Sequence, residues 1–441
     1  MPLKDQFGCV LSTASPQAIV AFDCAAWNLM TMSHDPVADV QEALIADPAM
    51  VMGHCLHAAL QLLGTEKQHL PGAEQALAAA ALHAKSATGR ERGHIAALRS
   101  FADGSIAGAI DHWERVLTEH PDDALAMYCA HQGDFFLARS SELRDRVARR
   151  LPSLDPEWKG FGLYQGMHAF GLEEMNQYAE AEETGRQAVA RCPRDAWAIH
   201  AVAHVMEMNA RTDDGIAWLD QRRDDWAKDS FFQVHNWWHF ALYLLDQERY
   251  SEALDLHDAK IGPGTGMLDI IDASALLWRL HLQGVDTGDR WPVLASSWEP
   301  HIEDRWYGFN DTHAMMAFAA SGRQDLAHRL LSTLEATAAT ASENGATTRA
   351  VSLPVARALL AFCHGKYGAA VELLLPLRLI ATQGGGSHAQ RDLITQTLIR
   401  SAEFSGQSKL ALALLNERVA LRPHSHMARL WRERAQRQLA A

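Results

Sequence analysis

The chain has 441 residues, room for about two or three conventional domains or for one long repeat array. Apolar residues make up 48% and charged residues 21%, a balance that excludes a largely disordered chain. The net charge of −14 argues against nucleic acid as a partner.

Taken in order, residues 1–50 read as N-terminal helices that precede a repeat. The opening MPLKDQFGCVLSTASPQ lacks a basic segment followed by an apolar one, so no signal peptide is expected. No apolar run approaches the ~20 residues of a membrane span. Both observations point to a cytoplasmic protein with no membrane partner. Six cysteines (Cys9, Cys24, Cys55, Cys129, Cys192, Cys363) form no CxxC pair and are expected mostly as buried thiols. The basic run Arg144, Arg146, Arg149 and Arg150, interleaved with Asp145, reads as a solvated helix face.

Strand signals are nearly absent, and alanine, leucine and glutamate recur at helical spacing with Gly or Pro at the joints. The segments beginning at Gly104, Asn176, Thr212 and Glu248 each open the second helix of a pair. Ala109, Ala181, Ala217 and Ala253 fall on a 36-residue grid, with Asp145 on the vacant place. Later copies begin at Gly365 and Gly406, and prolines close units at Pro121, Pro193 and Pro423. Residues 51–261 therefore read as regular repeats of about 36 residues and 262–441 as irregular later ones, within a single helical-repeat domain. Loops are expected where the period breaks, at Gly262–Gly266, Trp291–Trp306 and Gly384–Gly386. A short acidic helix is expected around Gly215–Trp226. The six tryptophans Trp113, Trp197, Trp218, Trp237, Trp238 and Trp278 fall at helical spacing and fill gaps between helices.

The period and the helix–turn–helix unit are those of tetratricopeptide-like repeats, which run about 34 residues. The expected fold is all-α: a TPR-like superhelix of helical hairpins, an α-solenoid strongly curved or closed around a polar interior.

Histidines follow the same grid. His57, His94, His131, His168, His204 and His239 are 37, 37, 37, 36 and 35 residues apart, and His313 and His388 follow after 74 and 75 more. All fall in the first helix of a unit, the helix that lines the concave face in this repeat class. Polar residues stand one turn away: Glu207 near His204, Asn236 near His239, Asn310 near His313, Arg391 and Asp392 near His388, Tyr128, Asp134 and Tyr164 near His131 or His168, and Asp269 with Asp272 in between. An apolar core has no use for them, so the inner surface is read as polar.

The chemistry gathers at Asp195–Leu245, where His200 and His204, then His235 and His239, sit four residues apart on successive long helices. No resident cofactor is called for. His200, His204, Glu207, His235 and His239 nonetheless compose a set that suits a divalent metal, against the plainer reading of a hydrogen-bonded polar layer. The order lacks the HExxH of a metalloprotease. Asp311 either orients a histidine or, slightly preferred with Asn310, caps the helix running through Ala320; His313 is placed in a pocket. Gly384–Asp392 has no GK[ST] ending and follows no strand, so it is read as a glycine-rich loop with Ser387 as N-cap, not as a nucleotide cradle. Its helix presents Gln390, Arg391 and Asp392. Arg391 is either an anchor for an anionic group or half of a structural ion pair. No Gly-x-Ser-x-Gly elbow occurs, and no local sequence supports a thiol nucleophile.

The chain resembles the tetratricopeptide repeat protein 38 family along essentially its whole length. The resemblance rests on Leu11-Ser-Thr, Val51-Met-Gly-His54, Asp195-Ala-Trp, His200-Ala-Val-Ala-His204-Val-Met-Glu207-Met, His235-Asn-Trp-Trp-His239, Met267-Leu-Asp269-Ile-Ile-Asp272, Phe309-Asn310-Asp311-Thr-His313 and Gly385-Gly-Ser387-His-Ala-Gln390-Arg391-Asp392. It implies an all-helical repeat protein and brings no reaction or cofactor with it. Two functions follow as expectations. In the first, a pocket takes a small polar or anionic molecule, with acid–base or metal-assisted hydrolase or lyase chemistry. His204, Glu207, His239 and His313 would be catalytic there. His94, His131, Asp134, His168, His200, His235, Asn236, Asp272, Asn310, Asp311, Gln390, Arg391 and Asp392 would bind the ligand. In the second, the chain is a scaffold gripping a peptide or protein in its groove.

Overall fold

The computed structural model describes residues 3–440. The chain is all helical; among the described residues the one β feature is an isolated bridge between Lys4 and Val10. Helical hairpins succeed one another. Val51–Leu63 packs on Leu70–Leu82, Gly89–Ala102 on Ile106–Glu119 and Phe161–Glu174 on Tyr178–Arg191. Further along, Gly308–Ala320 packs on Gln324–Ala338, Leu353–Cys363 on Tyr367–Leu374 and Ser408–Leu421 on His426–Ala440. The second helices open where the sequence places them, at Ile106, Tyr178, Thr212, Tyr250, Tyr367 and Ser408.

Nine of the joints turn in the same way. Gly104, Ala138, Asn176, Ala210, Glu248, Gly284, Gly322, Gly365 and Gly406 all have φ between +45° and +87°. The N–H of the residue after each reaches back five residues to a carbonyl of the first helix, as in Arg139 to Asp134, Gln177 to Leu172 and Arg249 to Leu244, at 2.8–2.9 Å. This is the Schellman geometry, which satisfies carbonyls orphaned at a helix end and reverses the chain in one residue. Glycine adopts it without strain; Ala138, Asn176, Ala210 and Glu248 do so against the contact between Cβ and backbone.

The chain packs as two compact units. One comprises Met1–Val202 with Arg222–Gln233, the other Ala203–Gln221 with Val234–Ala441. In each, alanines and leucines of both hairpin helices make the core, with the six tryptophans buried among them. In the second unit Gly215 lies against the ring of Tyr243 with no room for a Cβ, and the Tyr243 hydroxyl donates to the Ala203 carbonyl at 2.7 Å. That contact sets the height of the helix Gln233–Asp246 on its neighbour.

Four expectations need correction. Trp291–Trp306 is not a loop: Arg290–Trp298 is a helix, followed by a 3-10 turn at Glu299–His301. Pro292 falls in the first turn, where a missing N–H costs nothing, and Trp291, Leu294, Ala295 and Trp298 bury one helical face. The segment Gly215–Trp226 holds two short helices, Thr212–Asp220 and Arg223–Trp226. The basic run is only partly solvated, since Arg146 and Arg150 are buried and paired with Glu114, Arg150 at 2.8 Å. The thiols are mixed: Cys9, Cys55 and Cys129 are buried, Cys24 is exposed and Cys192 and Cys363 lie between.

Ala138→Gly should relieve the left-handed joint and raise stability by about 0.5–1 kcal/mol, whereas Gly104→Ala at an equivalent joint should cost about 1 kcal/mol. Urea denaturation of the two variants measures both.

Candidate functional site

In the first unit the polar groups largely satisfy one another. The carboxylate of Asp123 caps the helix Ala124–Phe136 and meets Arg90 Nη1 and His94 Nε2, each at 2.9 Å. Trp113 donates to His94 Nδ1 at 3.4 Å, which makes Nε2 the protonated nitrogen, so both nitrogens of His94 are engaged. Despite complete burial, His94 and the Arg90 guanidinium hold the Asp123 carboxyl well below the usual range. Asp134 is buried against Arg146 Nε at 3.0 Å, and burial still pushes its carboxyl up to about 6. His131 is fully buried, with its ring about 6 Å from Phe170 and Trp197 and no hydrogen-bond partner at either nitrogen. Burial, Arg146 and His168 push it down to about 3, so it is neutral. His168 is half-buried. His200 stacks on Phe170 at 5.5 Å among Trp197 and Phe232.

Asp195 occupies the position equivalent to Asp123, capping the helix Ala196–Met208 through the Ala198 N–H at 3.0 Å. Among the described residues no cation acts on it, and burial raises its carboxyl to about 7.

The second unit collects the chemistry. His204 lies on Ala196–Met208, and His235 and His239 lie on Gln233–Asp246. The rings of His204 and His239 are 4.4 Å apart and those of His235 and His239 5.0 Å, all buried. Each of the three offers a ring nitrogen within 4.8 Å of the others'. Two carboxylates orient this cluster. His235 Nδ1 donates to Asp272 at 2.8 Å and His239 Nδ1 to Glu207 at 3.2 Å. A neutral imidazole that donates at Nδ1 carries its lone pair at Nε2. Burial, reinforced by the neighbouring imidazoles, drives His204 and His239 well below the usual histidine range, so neither carries charge. Trp238 stacks on His235 at 5.2 Å and meets His239 edge-on at 4.9 Å. Asn236, fully buried, has no hydrogen-bond partner at either side-chain atom.

Beside the cluster lies a cavity of about 40 Å³ lined by Glu207, Tyr243, Arg279, Asp392, Arg418 and Arg422, among others. A single water needs ~10–15 Å³. Glu207 connects cluster and cavity: Oε2 accepts from His239, and Oε1 lies 3.5 Å from Arg422. Asp392 is clamped by Arg418 at 2.5 and 2.8 Å and lies 3.7 Å from Arg422. These arginines hold its carboxyl far below the usual range. The arginines are the residues sequence reasoning missed. Two signals were present: Arg279 is the lone charge inside the apolar run Ile270–Leu282 except for Asp272, seven residues and two turns before it, and Arg418 and Arg422 are four residues apart.

His313, Gln390 and Arg391 belong to a second cavity of about 20 Å³, with Phe309, Ser352, Gly384 and Gly385. His313 Nδ1 donates to the Phe309 carbonyl at 2.9 Å, leaving Nε2 without a partner, and burial pushes the ring down to about 4. Gln390 closes a capping box with Ser387, as expected of the cap. Arg391 donates to the Gly386 carbonyl, and the ion pair of this loop is made by Asp392 with Arg418. The cap expected at Asn310 or Asp311 is corrected: the helix begins at Gly308 with Tyr307 as its cap, because Asn344 Oδ1 accepts from the Gly308 N–H at 3.0 Å. Asn310 and Asp311 are buried within the helix, and burial with Asp304 nearby lifts Asp311 to about 7.

Compared with protein-family models, the chain matches none.

The raised carboxyl of Asp195 has a signed consequence. Its stabilising share is complete below the ordinary value of 3.8 and is lost as pH rises through about 7. Asp195→Asn keeps the cap and cannot ionise. It should gain on the parent between pH 4 and 8, by on the order of 1–3 kcal/mol at the upper end, in thermal denaturation across that range.

Proposed function

We propose that His204, His235 and His239 hold a divalent transition metal, and that a small polar or anionic molecule occupies the adjoining cavity for acid–base or hydrolytic chemistry. The observation that carries this is the pair of buried carboxylate–imidazole contacts, Asp272 to His235 and Glu207 to His239. A carboxylate on Nδ1 fixes the tautomer, leaves Nε2 as the ligand atom and raises its basicity, as carboxylates behind zinc-bound histidines do. Neutral imidazoles are the form that binds metal, and three of them suit zinc or a neighbouring first-row ion. An N₃ zinc site has nitrogens about 3.3 Å apart, so the rings would draw in by at most about 1.5 Å. A metal here supplies Lewis acidity toward a carbonyl or phosphoryl oxygen. Glu207, which reaches from the cluster to the cavity, supplies the proton-handling carboxylate, and Arg279, Arg418 and Arg422 supply positive charge. The wider reading is a tetratricopeptide-like solenoid of the cytoplasm, related to the tetratricopeptide repeat protein 38 family. It is supported by the hairpins and by left-handed joints at 104, 138, 176, 210, 248 and 284. No helix among the described residues is long and apolar enough to cross a membrane.

Elemental analysis of the full-length protein, with zinc titration of the metal-stripped form, tests the proposal. About one equivalent of metal is expected, lost in His235→Ala and in His239→Ala. Asp272→Asn should still bind, 10–100-fold more weakly. Absence of uptake, or uptake unchanged by both alanine variants, overturns it.

A further inference from the structure

Arg279 stands apart from the other cations of the second unit. It is buried, and among the described residues no carboxylate lies within 4 Å of it. Two of its five N–H donors go to backbone carbonyls, Ala275 at 3.0 Å and Ala389 at 2.5 Å, and the guanidinium lies 5.3 Å from the centre of the Trp238 ring. Burial lowers it to about 10, so it remains charged at neutral pH. Burying a cation without a counter-ion is costly, and a buried guanidinium is normally matched by an acid.

The cavity wall carries three arginines, Arg279, Arg418 and Arg422, and three acids, Glu207, Asp246 and Asp392, and the acids are engaged elsewhere. Asp392 is taken bidentately by Arg418, and Glu207 is shared between His239 and Arg422. The remaining acid on the wall, Asp246, accepts from the Ser425 hydroxyl at 2.5 Å and from the His426 N–H at 3.0 Å, at the start of His426–Ala440. It is thus spent on a helix N-terminus. Among the described residues Arg279 is the lining cation with no carboxylate in contact; Asp392 and Glu207 act on it only from beyond ion-pair distance. The charge of Arg279 also bears on His239 and on His313, which places it centrally among the candidate catalytic groups.

We propose that Arg279 is the anchor of an oxyanion subsite, and that the small molecule taken by this unit carries a carboxylate or a phosphate group seated between Arg279 and Arg422. A planar guanidinium with donors to spare matches either group in a two-pronged contact. The assignment falls on Arg279 and not on Arg391, whose guanidinium is directed to the Gly386 carbonyl in the other cavity. It rests on the reading that the second unit houses a small-molecule pocket, but not on the presence of metal.

The experiment is isothermal titration of metal-stripped, full-length protein with inorganic phosphate in one arm and acetate in the other, against a chloride background. Saturable binding is expected in at least one arm, and the stronger arm names the group. Arg279→Met should weaken it at least tenfold, Arg279→Lys should weaken it less, and Arg391→Met should leave it within twofold. Should Arg279→Met fail to fold, the Arg279→Lys and Arg391→Met pair decides. Binding unchanged by Arg279→Lys but lost in Arg391→Met places the anion in the other cavity and overturns the proposal. So does absence of saturable binding in both arms, or binding that returns only with zinc and ignores Arg279. Anion binding without metal uptake would sink the metal reading and leave this one standing.

Discussion

Everything in this chain hangs on a one-residue reversal. From Gly104 to Gly406 the recurring joint passes through the left-handed region and closes with a bond five residues back, so in those pairs the second helix leaves the first at the same phase. A fixed phase gives every first helix the same buried face. A polar residue placed there in one hairpin reappears in the next at the same depth, and His94, His131, His204, His239 and His313 are all buried accordingly. The recurrence of histidine follows from the reversal. Its chemistry does not, because that is decided by what each hairpin sets against the ring.

The two units set different things against it. In the first, His94 is locked between Trp113 and Asp123, and His131 sits neutral among aromatic rings. In the second, carboxylates grip the same ring nitrogen of two histidines, and one nitrogen of each ring in the cluster lies within 4.8 Å of the others. Asp123 and Asp195 make the same contrast among caps. One position in the hairpin carries a carboxylate held deeply ionised by Arg90 and His94, or one lifted toward neutrality for want of any cation.

The hairpins were legible in the sequence because their signals are local: a helical period, a small residue at the joint, a proline after the last turn. So were His204, His235, His239 and Glu207, which lie on two long helices at one-turn spacing. What sets their chemistry was not legible. Asp272 meets His235 across 37 residues and Arg418 meets Asp392 across 26. The first span is one repeat period, which places the two residues on neighbouring units without saying that their side chains meet, and the second matches no period. The same non-locality misplaced the cap at Asn310 and Asp311, since the group that satisfies the helix start is Asn344, 36 residues on. It also concealed Arg146 and Arg150, whose partners Glu114 and Asp134 belong to other helices. A basic run reads as solvent-facing until the acids that bury it are located.

Glu207 has one oxygen toward His239 and the other toward Arg422. A carboxylate shared in this way is a thermodynamic link. A ligand that draws the imidazole changes how much negative charge remains for the guanidinium, and a ligand that engages the guanidinium changes how firmly the imidazole is held. Reciprocity then requires the same factor in both directions: whatever occupancy of one side does to affinity on the other, the converse must equal. Two neighbouring sites joined by a single side chain are in that sense one site with two addresses, and their affinities have meaning only when measured together.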